Sequence, residues 1–122
     1  MCIRDRTIDK MQEQYNCNPK DIICCISPSI RECHFEVDQD VKDAFLEAFP
    51  KETDSIKQAH EKWHIDTVRI NIEMLKEKGL REENIIDSKI CTVCNCSQIH
   101  SYRGSKHHNG LEMGILELKG MI

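Results

Sequence analysis

The longest uninterrupted apolar run in this 122-residue chain is five residues, Ile22, Ile23, Cys24, Cys25 and Ile26. A run that short, closed by Ser27, Pro28 and Ser29, predicts a strand buried on both faces, as in a sheet covered by helices. It falls far below the roughly 18 apolar residues that suggest a membrane span. Around it the periodicity is helical. From Thr7, the positions Ile8, Met11 and Tyr15 recur at helix spacing, and Asn16, Cys17, Asn18 and Pro19 break the pattern. Residues 1–6 match no such periodicity and resemble a short non-native leader, so residues 7–122 are taken as the folded part.

Further on, residues 33–37 predict a second extended piece. Asp38 then offers a cap to a helix with Val41, Phe45 and Phe49 on its inner face, stopped by Pro50. A longer helix is predicted over 55–78, burying Ile65, Val68, Ile72 and Leu75 and ending at Gly79. Residues 85–92 are rich in β-branched side chains and predict a strand, 104–110 a polar loop, and 113–119 a closing strand. The order is that of an α/β fold, a layered mixed sheet with flanking helices. A first helix without a preceding strand, and so few strands, mark the chain as the incomplete C-terminal part of a larger single domain. The unfinished sheet edge is expected to allow self-association.

Apolar residues make up 39% and charged residues 31%, well away from the composition of disordered chains. The net charge is −4 and the 17 Lys and Arg are scattered, so the basic footprint of a nucleic-acid binder is missing. There are eight cysteines. No apolar signal segment opens the chain and two of them sit inside the apolar run, which fits a reducing cytosol better than a disulfide framework.

Three groups of residues carry chemistry. His60, Glu61, Lys62, Trp63 and His64 satisfy H-E-x-x-H on a predicted helix. Two His at i and i+4 share a face that could chelate zinc, Glu61 could deprotonate a bound water, and Glu83 is placed to be the third ligand of a small zinc peptidase. Cys91, Cys94, Cys96 and His100 put four soft ligands within ten residues, a candidate zinc site for a non-enzymatic module. His100, Ser101, Tyr102 and Arg103 gather polar groups after a strand, with an Arg shaped to fork onto phosphate or carboxylate. Cys33 and His34, adjacent on a predicted strand, should point to opposite faces and form no dyad.

In order along the chain, several segments resemble one family. Asn18, Pro19, Lys20, Asp21, Ile22, with Ile26, Ser27, Pro28, Ser29, Ile30 and Phe35, Glu36, Val37, are similar to its "P-x-D-I" strand and "G-P-x-I...F-E-V" stretch. His64, Ile65, Asp66 with Asn71, Leu75, Gly79 and Ile85 are like its "H-x-D-L...N...L...G" helix. Cys91, Thr92 through Ser101, Tyr102, Arg103 resemble its terminal "C-T...F-x-S-Y-R" signature. The family is the laccase-domain family, formerly called multicopper polyphenol oxidases and now understood as zinc-dependent purine nucleoside phosphorylases. Departures are Ser27 for a usual Gly, Gly104 within the basic run after Arg103, and Leu111 and Glu112 where an Arg is common.

The resemblance implies phosphorolysis of adenosine, inosine and guanosine, with adenosine deamination as a side activity and purine nucleosides and phosphate as partners. It implies that Arg103 reaches the substrate or phosphate, Tyr102 lines the pocket and Glu36 supports it. Zinc, for which copper was historically proposed, is implied to be held by two His and a Cys preceding the first helix, including an "H-A-G-W-R-G" stretch. The fragment is then expected to hold no metal of its own and to be inactive alone.

Overall fold

The computed structural model describes residues 3–106 and 110–120. Residues 107–109 of the predicted polar loop lie outside them. Three helices and two small sheets form the α/β fold: α1 (Ile3–Tyr15), β1 (Cys24–Ile26), β2 (Glu36–Val37), α2 (Gln39–Ala48), β3 (Ile56–Ala59), β4 (Lys62–Ile65), α3 (Thr67–Glu77) and β5 (Ile85–Asp87). β1 and β5 pair in parallel, while β2, β4 and β3 form an antiparallel sheet in that order. Parallel and antiparallel pairing thus occupy separate sheets. No helix among the described residues is long and apolar enough to cross a membrane.

α3 is the wall shared by two cores. Its Leu75 packs with Ile8, Ile22 and Leu80, while Ile70 packs with Val37 and Ile65 beneath Phe35, Phe45 and Phe49. Asp66 starts the helix by accepting the Arg69 N–H at 3.0 Å, which satisfies one of its orphan donors. Gly79 ends it at φ +102°, where a Cβ would also come within 3.1 Å of Pro19 Cβ.

Several sequence expectations are corrected. Ile3–Arg6, expected to lie outside the folded part, form the first turn of α1. Arg4 bonds Asn71 and the Met74 sulfur on α3, and Asp5 is buried beside it. Helical periodicity missed this because the anchor lies 67 residues away. Ile22–Ile26 is not buried on both faces, since Ile23 is 64% exposed and Cys25 is open to solvent. The predicted helix over 55–78 is a β3–β4 hairpin followed by α3. Residues 113–119 form no strand, and Leu111, Met113, Ile115, Leu116 and Leu118 are all exposed.

The hairpin has a tertiary cause. His60 takes a left-handed conformation, φ 57°, at the two-residue turn. Trp63 lies under the Lys42 ammonium at 4.6 Å and donates its indole N–H to Gln39 Oε1 at 3.1 Å. Ile65 is wholly buried. Contacts to α2 therefore outweigh the local helix preference of this segment.

Candidate functional site

Parallel pairing of β1 and β5 delivers two distant segments side by side. Beyond the strands the pairing continues at Ser29 and Cys91, with Ser29 N–H donating to Ile90 O at 3.2 Å and Thr92 N–H to Ser29 O at 3.1 Å. Arg31 locks the junction. Its largely buried guanidinium pairs with Asp87 at 2.8 Å and also reaches Ser88 Oγ and the carbonyls of Ser27 and Ile90. The chain then turns, with the N–H groups of His34 and Phe35 donating to Arg31 O, and enters β2.

This turn overturns the expectation that Cys33 and His34 diverge. On a turn, neighbouring side chains need not alternate, and His34 Nδ1 lies 3.2 Å from Cys33 Sγ. The same nitrogen is 3.4 Å from Cys94 Sγ and 3.8 Å from Cys91 Sγ, and Cys33 Sγ is 3.7 Å from Cys94 Sγ. Among the described residues, Cys33, His34, Cys91 and Cys94 are the group able to hold a metal, with ligand atoms all within 4.8 Å of one another. Burial works against ionising Cys91. The backbone N–H groups of Cys94 and Arg31, with His34 and Cys33, more than offset it and bring that thiol down to about 6. Burial, joined by the Cys91 and Cys94 sulfurs, pushes Cys33 up to about 12.

The expected sets are rearranged accordingly. Cys91 and Cys94 belong to the cluster, but Cys96 and His100 do not. Cys96 packs against Gly104, where a Cβ would meet Cys96 Cβ at 2.8 Å, and His100 Nδ1 accepts the Gly110 N–H at 3.1 Å. His60, His64 and Glu83 do not converge either. His60 sits in the hairpin turn, His64 on β4 and Glu83 in the 3-10 turn Glu82–Asn84, so the shared helical face that an H-E-x-x-H zinc peptidase needs does not exist.

Beside the cluster lies a cleft of about 340 Å³ lined by Cys33, His34, Glu36, His64, Val93 and Arg103. Arg103 Nη1 donates to the carbonyls of Glu36 at 3.1 Å and His34 at 3.4 Å, and its guanidinium lies 5.0 Å from the centre of the Phe35 ring. His64 Nδ1 is 2.7 Å from Glu32 O. A carbonyl only accepts, so that nitrogen carries the proton and Nε2 faces the Glu36 carboxylate at 3.5 Å. Tyr102 is 61% exposed and does not line the cleft.

The model of the family described as multi-copper polyphenol oxidoreductase laccase matches residues 1–119. The chain belongs to this laccase family. It is similar to the purine nucleoside phosphorylase YlmD of Bacillus subtilis, 30% identical over 114 residues that cover 92% of this chain and 41% of the relative. A purine nucleoside phosphorylase of Bacteroides thetaiotaomicron is also 30% identical, over 83% of this chain and 38% of its own length. The solved structure of the hypothetical protein YfiH of Bacillus licheniformis superposes with a TM-score of 0.79 at 25% identity, covering 88% of this chain and 41% of that one. The chain thus spans about two fifths of the length of these laccase-family relatives.

Proposed function

We propose that this chain is the C-terminal part of a purine nucleoside phosphorylase, in which phosphate attacks the ribose C1′ of adenosine, inosine or guanosine and the purine leaves. The observation that carries the reading is the meeting of two motifs far apart in sequence. Arg103 of S-Y-R is held by the backbone of His34 and Glu36, next to the F-E-V stretch, at the wall of one cleft. In this reading Arg103 forks onto phosphate or substrate oxygens, the task its planar guanidinium performs best. Glu36 and His64 supply an acceptor and an imidazole on the same wall.

The metal supplies Lewis-acid chemistry at the reactive centre when bound. Its implied ligands, two His and a Cys, precede Thr7 in the family's order. The chain by itself is therefore proposed to be inactive, and adenosine deamination is proposed as a side activity of the whole enzyme. The exposed thiols of Cys25, Cys33, Cys94 and Cys96 suit a reducing cytoplasm.

The test joins this chain to the upstream three fifths of its Bacillus subtilis relative and follows phosphate-dependent release of hypoxanthine from inosine. The joined protein should turn over inosine and the chain alone should not. Arg103→Ala should lower kcat/KM roughly 100-fold, the size of effect seen when one transition-state anion donor is lost. Robust phosphorolysis by the chain alone, or an unaltered rate in Arg103→Ala, would overturn the reading.

A further inference from the structure

The four-residue cluster has dimensions that hydrogen bonding among thiols does not require. Four ligands at tetrahedral zinc, with Zn–S near 2.3 Å and Zn–N near 2.05 Å, stand about 3.8 Å apart between sulfurs and about 3.5 Å apart between sulfur and nitrogen. The distances here are 3.7 Å for Cys33 to Cys94, and 3.2, 3.4 and 3.8 Å from His34 Nδ1 to the three sulfurs. We infer that Cys33, Cys91, Cys94 and His34 Nδ1 bind one zinc ion in a closed, structural Cys3His site that fastens the loop after β5 to the turn before β2.

Four observations support this assignment. Three sulfurs and an imidazole are a soft donor set, and a tetrahedral arrangement of such donors selects zinc over harder divalent ions. All four positions are filled by protein, which leaves no open site for water and makes the role structural. Cys91 and Cys94 are spaced C-x-x-C and lie on one turn, whose Asn95 N–H returns to Cys91 O at 3.2 Å and holds both sulfurs on the same side of the junction. The segment so fastened also needs a fastener. Residues 88–106 contain no helix or strand, and within them only Cys91 and Ser101 are buried.

Zinc entry displaces the protons of the coordinated thiols to solvent and involves no change of oxidation state. His34 gives the site a reach into the cleft, since its carbonyl holds Arg103 Nη1. The ion would fix the backbone on which Arg103 rests without touching substrate. The inference does not depend on the phosphorylase reading, because the ligands bind or fail to bind whatever reaction the cleft supports.

The full chain, purified in reducing buffer, should retain one zinc per molecule through gel filtration. With cobalt(II) in place of zinc, it should show thiolate-to-metal charge transfer in the near ultraviolet and the strong visible bands of a tetrahedral ion. Cys94→Ser should weaken zinc binding by more than about 100-fold, beyond what loss of an outer-sphere partner costs, while Cys96→Ser should bind as the parent does. As a second readout on the unmutated protein, chelation should speed amide exchange in residues 91–106 and leave α1 and α3 protected. Metal-free protein with the weak spectrum of octahedral cobalt, copper retained in place of zinc, or equal losses in Cys94→Ser and Cys96→Ser would each overturn the assignment.

Discussion

Arg31 makes more long-range contacts than its place in the sequence suggests. It follows Ile30 in a segment without periodicity, yet its side chain is only 13% exposed and joins the two sides of the β1–β5 pair through Asp87, Ser88 and Ile90. Replacing it with Ala would leave the Asp87 carboxylate, its side chain 19% exposed, with the Lys89 N–H but without its cationic partner, and the carbonyls of Ser27 and Ile90 without their side-chain donor. Arg31→Ala should therefore cost about 2 kcal/mol in urea unfolding, less than a fully buried pair because solvent still reaches the site. A loss under a few tenths would show that the backbone pairing holds the junction alone. Arg103 was legible at this scale, because Ser-Tyr-Arg is a recognisable string. Its carbonyl partners on His34 and Glu36 were not, since backbone acceptors leave no mark on side-chain identity. Cys33 and His34 were noticed as neighbours, but assigning them to a strand separated side chains that a turn brings together.

At the level of elements, the clearest departure is the segment between Ser55 and Asp66. Ile65, Val68, Ile72 and Leu75 are spaced as one helical stripe, and the helix is correct from Thr67 onward. Ile65 belongs instead to β4, where it pairs with Ile56 and fills the centre of the core between β2 and α3. Ile65→Ala should destabilise the protein by about 3 kcal/mol, the cost of a large cavity in a filled core. The loss should appear in exchange protection of β3 and β4 as well as of α3. Were only α3 to lose protection, the hairpin would not depend on this side chain. Gly79 was the reverse case, a helix stop read from sequence and found at the expected position. A glycine with positive φ is a local requirement, so sequence suffices to find it.

For the whole molecule, two small sheets enclose two cores with α3 between them, and a row of apolar side chains remains uncovered. β1 and β5 have no further strand beside them among the described residues, and Leu111, Met113, Ile115, Leu116 and Leu118 are more than four-fifths exposed. Surfaces of this kind favour pairing with another chain. We expect the isolated chain to show an apparent mass that rises with concentration in light scattering, and removal of everything after Glu112 to reduce that rise. A mass of one chain at every concentration would dispose of the idea. The same truncation should leave thermal stability nearly unchanged, since those side chains bury nothing.

The sequence by itself determined the α/β class, the approximate positions of the three helices, and the β1 and β5 segments. These follow from local signals: period, turn chemistry and short motifs that keep their order. The tertiary structure decided which distant segments meet. It made a hairpin from a stretch of helical spacing, joined Cys33 and His34 to Cys91 and Cys94 across 57 to 61 residues, and removed Cys96, His100, His60 and Glu83 from metal-binding company. The physical reason is that ligand geometry depends on strand register and on packing between elements, and these are set by contacts whose partners are remote in sequence.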